Sequence, residues 1–175
     1  FNIHFPKSPD LLAKAQFRLK FEELFFIQLQ LITKNLIRKH KIKGYPFEKV
    51  GTYFNNFYQH HLPFELTNAQ KKVIREIFHD MRSGKQMNRL LQGDVGSGKT
   101  IVAFITMLLA LDNDAQACLM APTEILSDQH YTGLKKFADL MGLKIVELTG
   151  SVGKKQRRII DAGLLDGSIN IIVGT

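Results

Sequence analysis

The chain has 175 residues, 45% of them hydrophobic and 23% charged, which sets aside a disordered or collagen-like chain. No uninterrupted apolar run approaches the roughly 20 residues of a membrane-spanning helix, and a single cysteine, Cys118, excludes an internal disulfide. The formal net charge of +8 admits a polyanionic partner without identifying one. The length suits one ordinary domain plus an incomplete appendage. Cys118 reads as a small core residue inside a strand, consistent with a reducing compartment. Phe1 to Pro6 lacks an initiator Met, a basic n-region and an apolar h-region, so it is expected to be a cut end rather than a signal peptide.

The first expected element is a long helix from Ser8, as N-cap, to about His40, with Pro9 in its first turn. Its apolar residues, among them Leu11, Phe17, Phe21, Leu24, Phe25, Phe26, Ile27 and Leu31, cover more than one face and predict a helix gripped from several sides. Lys34, Arg38, Lys39, Lys41 and Lys43 crowd its end, where cations complement a helix C-terminus. Gly44-Tyr45-Pro46 breaks the helix, and Phe47 to His61 forms a second aromatic-rich, helical or irregular segment. His60-His61 has no second ligand cluster at metal spacing and reads as a surface pair.

From Phe64 the pattern becomes alternation of helix and strand. Thr67-Asn68-Ala69-Gln70 is a capping box that launches a helix through Val73, Ile74, Ile77, Phe78 and Met81 to a stop at Ser83-Gly84. A strand over 87–92 is expected next, then Gly93-Asp94-Val95-Gly96-Ser97-Gly98-Lys99-Thr100, which fits G-x-x-x-x-G-K-[ST] at every defined position, followed by an apolar helix over 101–111. This octet predicts a phosphate cradle. Glycines 93, 96 and 98 let backbone N–H groups converge on an anion, Val95 and Ser97 donate through their main chain, and the helix dipole points the same way. Lys99 reaches the β- and γ-phosphates of a nucleoside triphosphate, and the Thr100 hydroxyl is placed to ligate Mg²⁺. Asp94 lies within the loop, but the cradle does not need its carboxylate.

The alternation continues with a strand at 115–120, Ala121-Pro122-Thr123 entering a helix with Leu126, Tyr131, Leu134 and Phe137, and a strand at 143–148. Thr149-Gly150-Ser151 leads into a helix carrying Ile159, Ile160, Leu164 and Leu165, and the last strand is 169–173. Lys154, Lys155, Arg157 and Arg158 crowd that helix, and the charge fits either a solvated face or contact with nucleic acid. Four strands separated by helices predict an α/β fold, a parallel doubly wound sheet with right-handed crossovers. In such sheets ligands bind beyond the carboxyl ends of the strands. The turns at 93–98, 121–123 and 149–151, with Gly174-Thr175, should therefore share one functional rim.

The arrangement resembles the first RecA-like domain of superfamily-2 helicases. Pro63-Phe64-Glu65-Leu66-Thr67-Asn68-Ala69-Gln70, Arg89 to Thr100, Met120 to His130, Leu148-Thr149-Gly150 and Ile171 to Thr175 stand in an order and spacing similar to the RecG-type ATP-dependent DNA helicases. Ala15 to Leu24 is similar to the helical linker of that family. The resemblance implies a linker over 1–62 and a motor domain over 63–175, with ATP and Mg as cofactors and branched or forked DNA as partner. It implies that Gln70 reads the adenine edge and that Phe64 and Leu66 wall that pocket. It implies that Gly93 to Thr100 hold the phosphates and that Pro122, Thr123, Thr149, Gly150 and Thr175 hold the nucleic-acid backbone without reading sequence. Without the resemblance, Pro122-Thr123 is an ordinary helix entry and Thr149-Gly150 an ordinary turn.

That family continues into an acidic Walker B segment and a second RecA-like lobe with an arginine finger, so the chain is expected to be an inactive excised piece of a monomeric, cytoplasmic bacterial motor. Exposed apolar surface makes its self-association an expectation. The motor of a transcription-repair coupling factor shares the Gly-Asp-Val-Gly-x-Gly-Lys-Thr loop. A P-loop kinase acting on a small metabolite would show the loop as well, and so would a nucleotide-sensing interaction module.

Overall fold

A computed structural model describes residues 1–175, apart from the side chains of Lys39 and His40. The chain divides into two compact units, Phe1–Lys43 and Gly44–Thr175.

The first unit is essentially one helix, α1 (Pro9–Lys41). Ser8, in extended backbone, accepts the Leu11 N–H at 3.3 Å, and Pro9 occupies the first turn. Phe17, Phe21 and Phe25 repeat every four residues, and their rings stack along the helix with centroids 6.3 and 5.5 Å apart. The expected grip from several sides is not found: Phe17, Leu24, Phe26 and Ile32 are exposed. The reason is that a 33-residue helix, about 50 Å long at ~1.5 Å per residue, has no second long element in its own unit to bury it.

The second unit begins at Gly44, ahead of the boundary at 63 that the sequence suggests. Residues 44–62 join it through Phe57, which is fully buried and meets the rings of Phe104 and Phe137 edge-on at 5.0 and 5.5 Å. Phe57 opens a single π-helical turn (Phe57–His61) that continues the short helix α2 (Thr52–Asn56). The Asp112 carboxylate accepts the N–H groups of Tyr53 and Phe54 at 2.9 and 3.1 Å. Buried Asn113 pairs with the Lys49 backbone in both directions, at 2.9 Å each way. At Gly51 a Cβ would stand 2.6 Å from an Asp112 oxygen, so this approach requires glycine.

Helix α3 (Asn68–Arg82) starts from the expected capping box and buries Ile74, Ile77 and Met81. Helix α4 (Lys99–Leu111) buries eight apolar side chains from Ile101 to Leu111, so it forms the centre of the core. Strands β1 (Ala117–Met120), β2 (Ile145–Leu148) and β3 (Ile171–Gly174) alternate with α5 (Glu124–Leu140) and α6 (Lys154–Leu165). All pairings are parallel in the order β1-β3-β2, with Ile171 level with Ala117 and Ile145. The step from β1 to β2 and the step back to β3 run in opposite directions across the sheet, so right-handed crossovers put α5 and α6 on opposite faces. Burial agrees: Leu134 and Ala138 of α5 belong to the core with α4, Ile171 and Val173, whereas Ile160 of α6 and Ile169 are buried outside it.

Two further expectations are corrected. The sheet has three strands rather than four, because residues 86–92 do not join its ladder, and Leu90 is 87% exposed. A strand needs a partner for its backbone N–H and C=O groups, and apolar content alone cannot supply one. Cys118 is exposed, not core. Along β1, Ala117 and Leu119 lean on the core, while Cys118 and Met120 point to the opposite face, where both are exposed. Between α6 and β3, the Asp166 carboxylate accepts the Ser168 N–H at 2.8 Å, which holds its carboxyl below the usual range.

Candidate nucleotide site and nucleic-acid rim

Helix α4 leads through a short connection into β1, against which it packs. Running back along β1, it brings its N-terminus to the carboxyl edge of the sheet. The loop ahead of it turns through Gly96 and Gly98 at φ 80° and 81°, left-handed conformations that favour glycine. At Gly98 a Cβ would also run into the Gln70 amide. The first N–H groups of α4, including those of Lys99 and Thr100, have no partner within the helix. The Thr100 hydroxyl makes no hydrogen bond among the described residues, so it is available to a ligand.

Lys99 folds over this loop, its ammonium donating to the carbonyls of Gly93 and Asp94 at 2.8 and 2.6 Å. Two neutral carbonyls hold the cation at the mouth of the cradle, and an ionised oxygen is the stronger acceptor, so an entering phosphate has a charge partner in place. The Asp94 side chain takes no part in these bonds, and Val95 is fully exposed at the tip. Ser97 spends its N–H within the loop, donating to the Asp94 carbonyl at 3.2 Å, which narrows the donor role expected for it.

Gln70 has both ends of its amide engaged. Its Oε1 accepts the Thr67 N–H at 2.8 Å, and its Nε2 donates to the Ser97 carbonyl at 2.9 Å. The residue therefore joins the start of α3 to the P-loop. Thr67, Gln70, Val73, Leu91, Gly93, Lys99 and their neighbours line one cleft of about 340 Å³. Phe64 and Leu66 line a separate cleft with Tyr58 and Leu62, and Leu66 is nearly buried. The structure thus brings Gln70 to the phosphate loop but leaves Phe64 and Leu66 beside it.

Arg89 is a residue the sequence did not single out by itself. Its guanidinium meets Glu76 at 2.7 Å and Asp80 at 2.7 Å, and these carboxylates raise its already high pKa, the Asp80 hydrogen bond foremost. In place of a ladder, this clamp fixes residues 86–92 to α3.

The other rim residues sit at the carboxyl ends of the strands. Thr123, in extended backbone, caps α5 by accepting the Leu126 N–H at 3.3 Å, with Pro122 just ahead of it. The Ala121 N–H donates to the Gly174 carbonyl at 2.7 Å and that of Thr175 to the Leu148 carbonyl at 3.3 Å, joining all three strand ends. Thr149 is buried, its hydroxyl 2.8 Å from that of Ser151. Two further tethers were not legible in sequence. The Glu124 carboxylate accepts the Ser151 N–H at 3.1 Å, and the buried Ser127 hydroxyl donates to Glu147 at 2.7 Å. Glu124 and Ser127 lie within the first turns of α5, a weak signal of a polar seam, but their partners lie twenty-seven and twenty residues on.

A larger cavity of about 640 Å³, between Tyr53, Gln116, Asp166 and Asn170, opens at the opposite edge of the sheet and includes no part of the cradle or rim. Among the described residues there is no group of three or more His, Cys, Asp or Glu able to hold a metal, and no helix long and apolar enough to cross a membrane.

The family model described as DEAD/DEAH box helicase matches residues 67–175. The chain is 42% identical to the ATP-dependent DNA helicase RecG of Synechocystis sp., over 99% of this chain and 21% of that protein. It is 41% identical to the RecG of Thermotoga maritima, over 100% of this chain and 22% of that one. Among solved structures, that of RecG bound to a three-way DNA junction superposes with a TM-score of 0.80 at 41% identity, covering 99% of this chain and 24% of the other. The chain thus spans about a fifth of the length of these relatives.

Proposed function

Because the chain belongs to the DEAD/DEAH box helicase family, we propose that it is the nucleotide-binding part of a longer, RecG-like motor. That motor couples ATP hydrolysis to movement on forked or branched DNA, as at stalled replication forks and recombination intermediates. One observation carries this reading: the phosphate cradle at the start of α4 and the hydrogen-bonded loops 121–123, 149–151 and 174–175 occupy the same edge of one parallel sheet. ATP at the first and a DNA strand across the second would thus lie within one rigid framework. The small-metabolite kinase and the sensing module are disfavoured, since the matched family model runs across all three rim loops.

In this proposal residues 63–175 form the first RecA-like motor domain and 1–62 the connection to it, of which the part from Gly44 packs with the motor unit. Gly93, Asp94, Val95, Gly96, Ser97 and Gly98 shape the loop around the triphosphate, and Lys99 exchanges its two carbonyl acceptors for β- and γ-phosphate oxygens. The Thr100 hydroxyl, free of internal partners, fits a ligand to Mg²⁺, which when bound offsets the charge of the phosphates. Gln70 would release the Ser97 carbonyl to read the adenine, its amide able both to donate and to accept, with Phe64 and Leu66 beside the base. Pro122, Thr123, Thr149, Gly150 and Thr175 would hold the DNA backbone, and the tethers from Glu124 and Ser127 keep loop 149–151 in register with the start of α5. A water-positioning acid and an arginine finger fall to other parts of the polypeptide, so the chain alone is expected to turn over ATP negligibly. The setting proposed for the parent is the bacterial cytoplasm, and its state monomeric.

The test is phosphate release by the full-length polypeptide with and without forked DNA at one fixed low salt concentration, since backbone binding depends on salt. Strong stimulation by the fork is the expected result. Turnover indifferent to DNA would overturn the assignment.

A further inference from the structure

We infer that the outward stripe of α6, formed by Lys154, Lys155 and Arg158 with Arg157 at its flank, is a second contact for the DNA phosphate backbone, continuous with loop 149–151. The inference rests on the reading of that loop as part of the DNA-facing rim. Its own support comes from three features of α6.

The first is orientation. With Ile160 and Gly163 buried, a turn of about 100° per residue places positions 154, 155 and 158 on the side away from the sheet. All four cations are exposed.

The second is the want of internal partners. Elsewhere Lys14 meets Asp10, Arg18 meets Glu22, Lys49 meets Asp114, Arg89 meets Glu76 and Asp80, and Lys135 meets Asp139. Among the described residues, the side chains of Lys154, Lys155, Arg157 and Arg158 enter no ion pair or hydrogen bond, although Asp161 lies only one turn further along the same helix.

The third is that the placement works against the helix itself. The cations occupy the first turns of α6, where the macrodipole is already positive, with no acidic residue in the first turn and Gly153 as a cap without a side chain. A face selected only for solubility would set Asp or Glu there. An anion lying along the stripe removes the conflict and uses the helix end as well as the side chains.

DNA is the anion the surroundings favour. The stripe starts four residues after Gly150, at the edge where the three strand ends and the nucleotide cradle converge. From Lys154 to Arg158 the helix rises about 6 Å, against ~3.4 Å of duplex axis per phosphate of one strand. The stripe therefore spans about two successive phosphates, a contact that fixes the position of a duplex arm without reading sequence.

The test uses the full-length polypeptide carrying Lys154→Gln, Lys155→Gln and Arg158→Gln together. Affinity for forked DNA is measured across a salt series beside the wild type, with phosphate release recorded with and without DNA. The expected result is a salt slope shallower by about 2 to 3, weaker binding at every salt concentration, and DNA-free turnover unchanged. The melting temperature should stay the same or rise, because the substitutions relieve the dipole conflict. If the melting temperature falls instead, the charge-conserving set Lys154→Arg, Lys155→Arg and Arg158→Lys decides, since it must keep the wild-type slope. An unchanged slope in the glutamine variant, with stimulation by DNA intact, overturns the inference about α6 and leaves the helicase reading standing. A wild-type polypeptide that DNA does not stimulate overturns both.

Discussion

The strand-end loops and the P-loop share one edge of the sheet but are held there by different means. Loops 121–123, 149–151 and 174–175 grow out of paired strands and are laced together by backbone bonds and by the Glu124 and Ser127 tethers. The P-loop is approached by a run outside the sheet, fixed to α3 by Arg89 and to the capping box by Gln70, and closed by a lysine bonded to its own carbonyls. The first region is organised before any ligand arrives. The second satisfies itself with bonds that a triphosphate must displace, so ligand binding should change the order of the P-loop more than that of the rim.

Substitutions that act on one region and spare the other test this contrast. The largest effect belongs to Lys99→Ala, which should lower phosphate release by the full-length polypeptide by a factor of ~100 or more while its urea-unfolding midpoint barely moves, because the side chain bonds only to exposed loop carbonyls. Near-normal turnover would place the charge partner of the phosphates elsewhere. Next is Ser127→Ala. It withdraws a buried donor from Glu147, and urea unfolding should report a loss of about 1 to 3 kcal/mol; no loss would mean that the rim tether is dispensable.

Arg89→Ala should cost less, because a partly exposed ion pair contributes little, yet its signature is local. Amide hydrogen exchange over residues 86–92 should quicken while β1 and β3 keep their protection. Uniform quickening across the sheet would show that the two regions are not separable. The smallest effect concerns Asp166, away from both. Its lowered pKa contributes stability above its ordinary value of 3.8, lost as pH falls through and below that value. Asp166→Asn keeps an acceptor for the Ser168 N–H but not the charge, so its deficit at neutral pH should vanish in acid. A deficit that persists in strong acid, well below that value, would assign the effect to geometry instead of charge.

What could be read from residues alone follows the same division. Capping signals are local, so Ser8, Thr67-Gln70 and Ser83-Gly84 mark their helix ends in the sequence and do so in the structure. The P-loop is legible because phosphate chemistry constrains consecutive residues, and β1, β2 and β3 are legible because each carries an apolar run between amphipathic helices. Residues 87–92 have the same local character, but whether a run becomes a strand depends on a neighbour that no local pattern reveals. Cys118 misled for a related reason: burial on the face of β1 depends on a covering element, not on the strand. Glu124, Ser127 and Arg89 are ordinary polar residues until the fold delivers partners nine to twenty-seven positions away.

The seam between Asp112-Asn113 and residues 49–54, with Phe57 seated between Phe104 and Phe137, bears on how the molecule can be dissected. A cut at 62/63, where the sequence changes character, would strip two aromatic rings of their cover and leave a buried asparagine facing a missing backbone. A cut at 43/44 severs the long helix and keeps every one of those contacts. A soluble, crystallisable piece of this protein should therefore begin at Gly44. A piece begun at Pro63 should be recovered mainly from inclusion bodies.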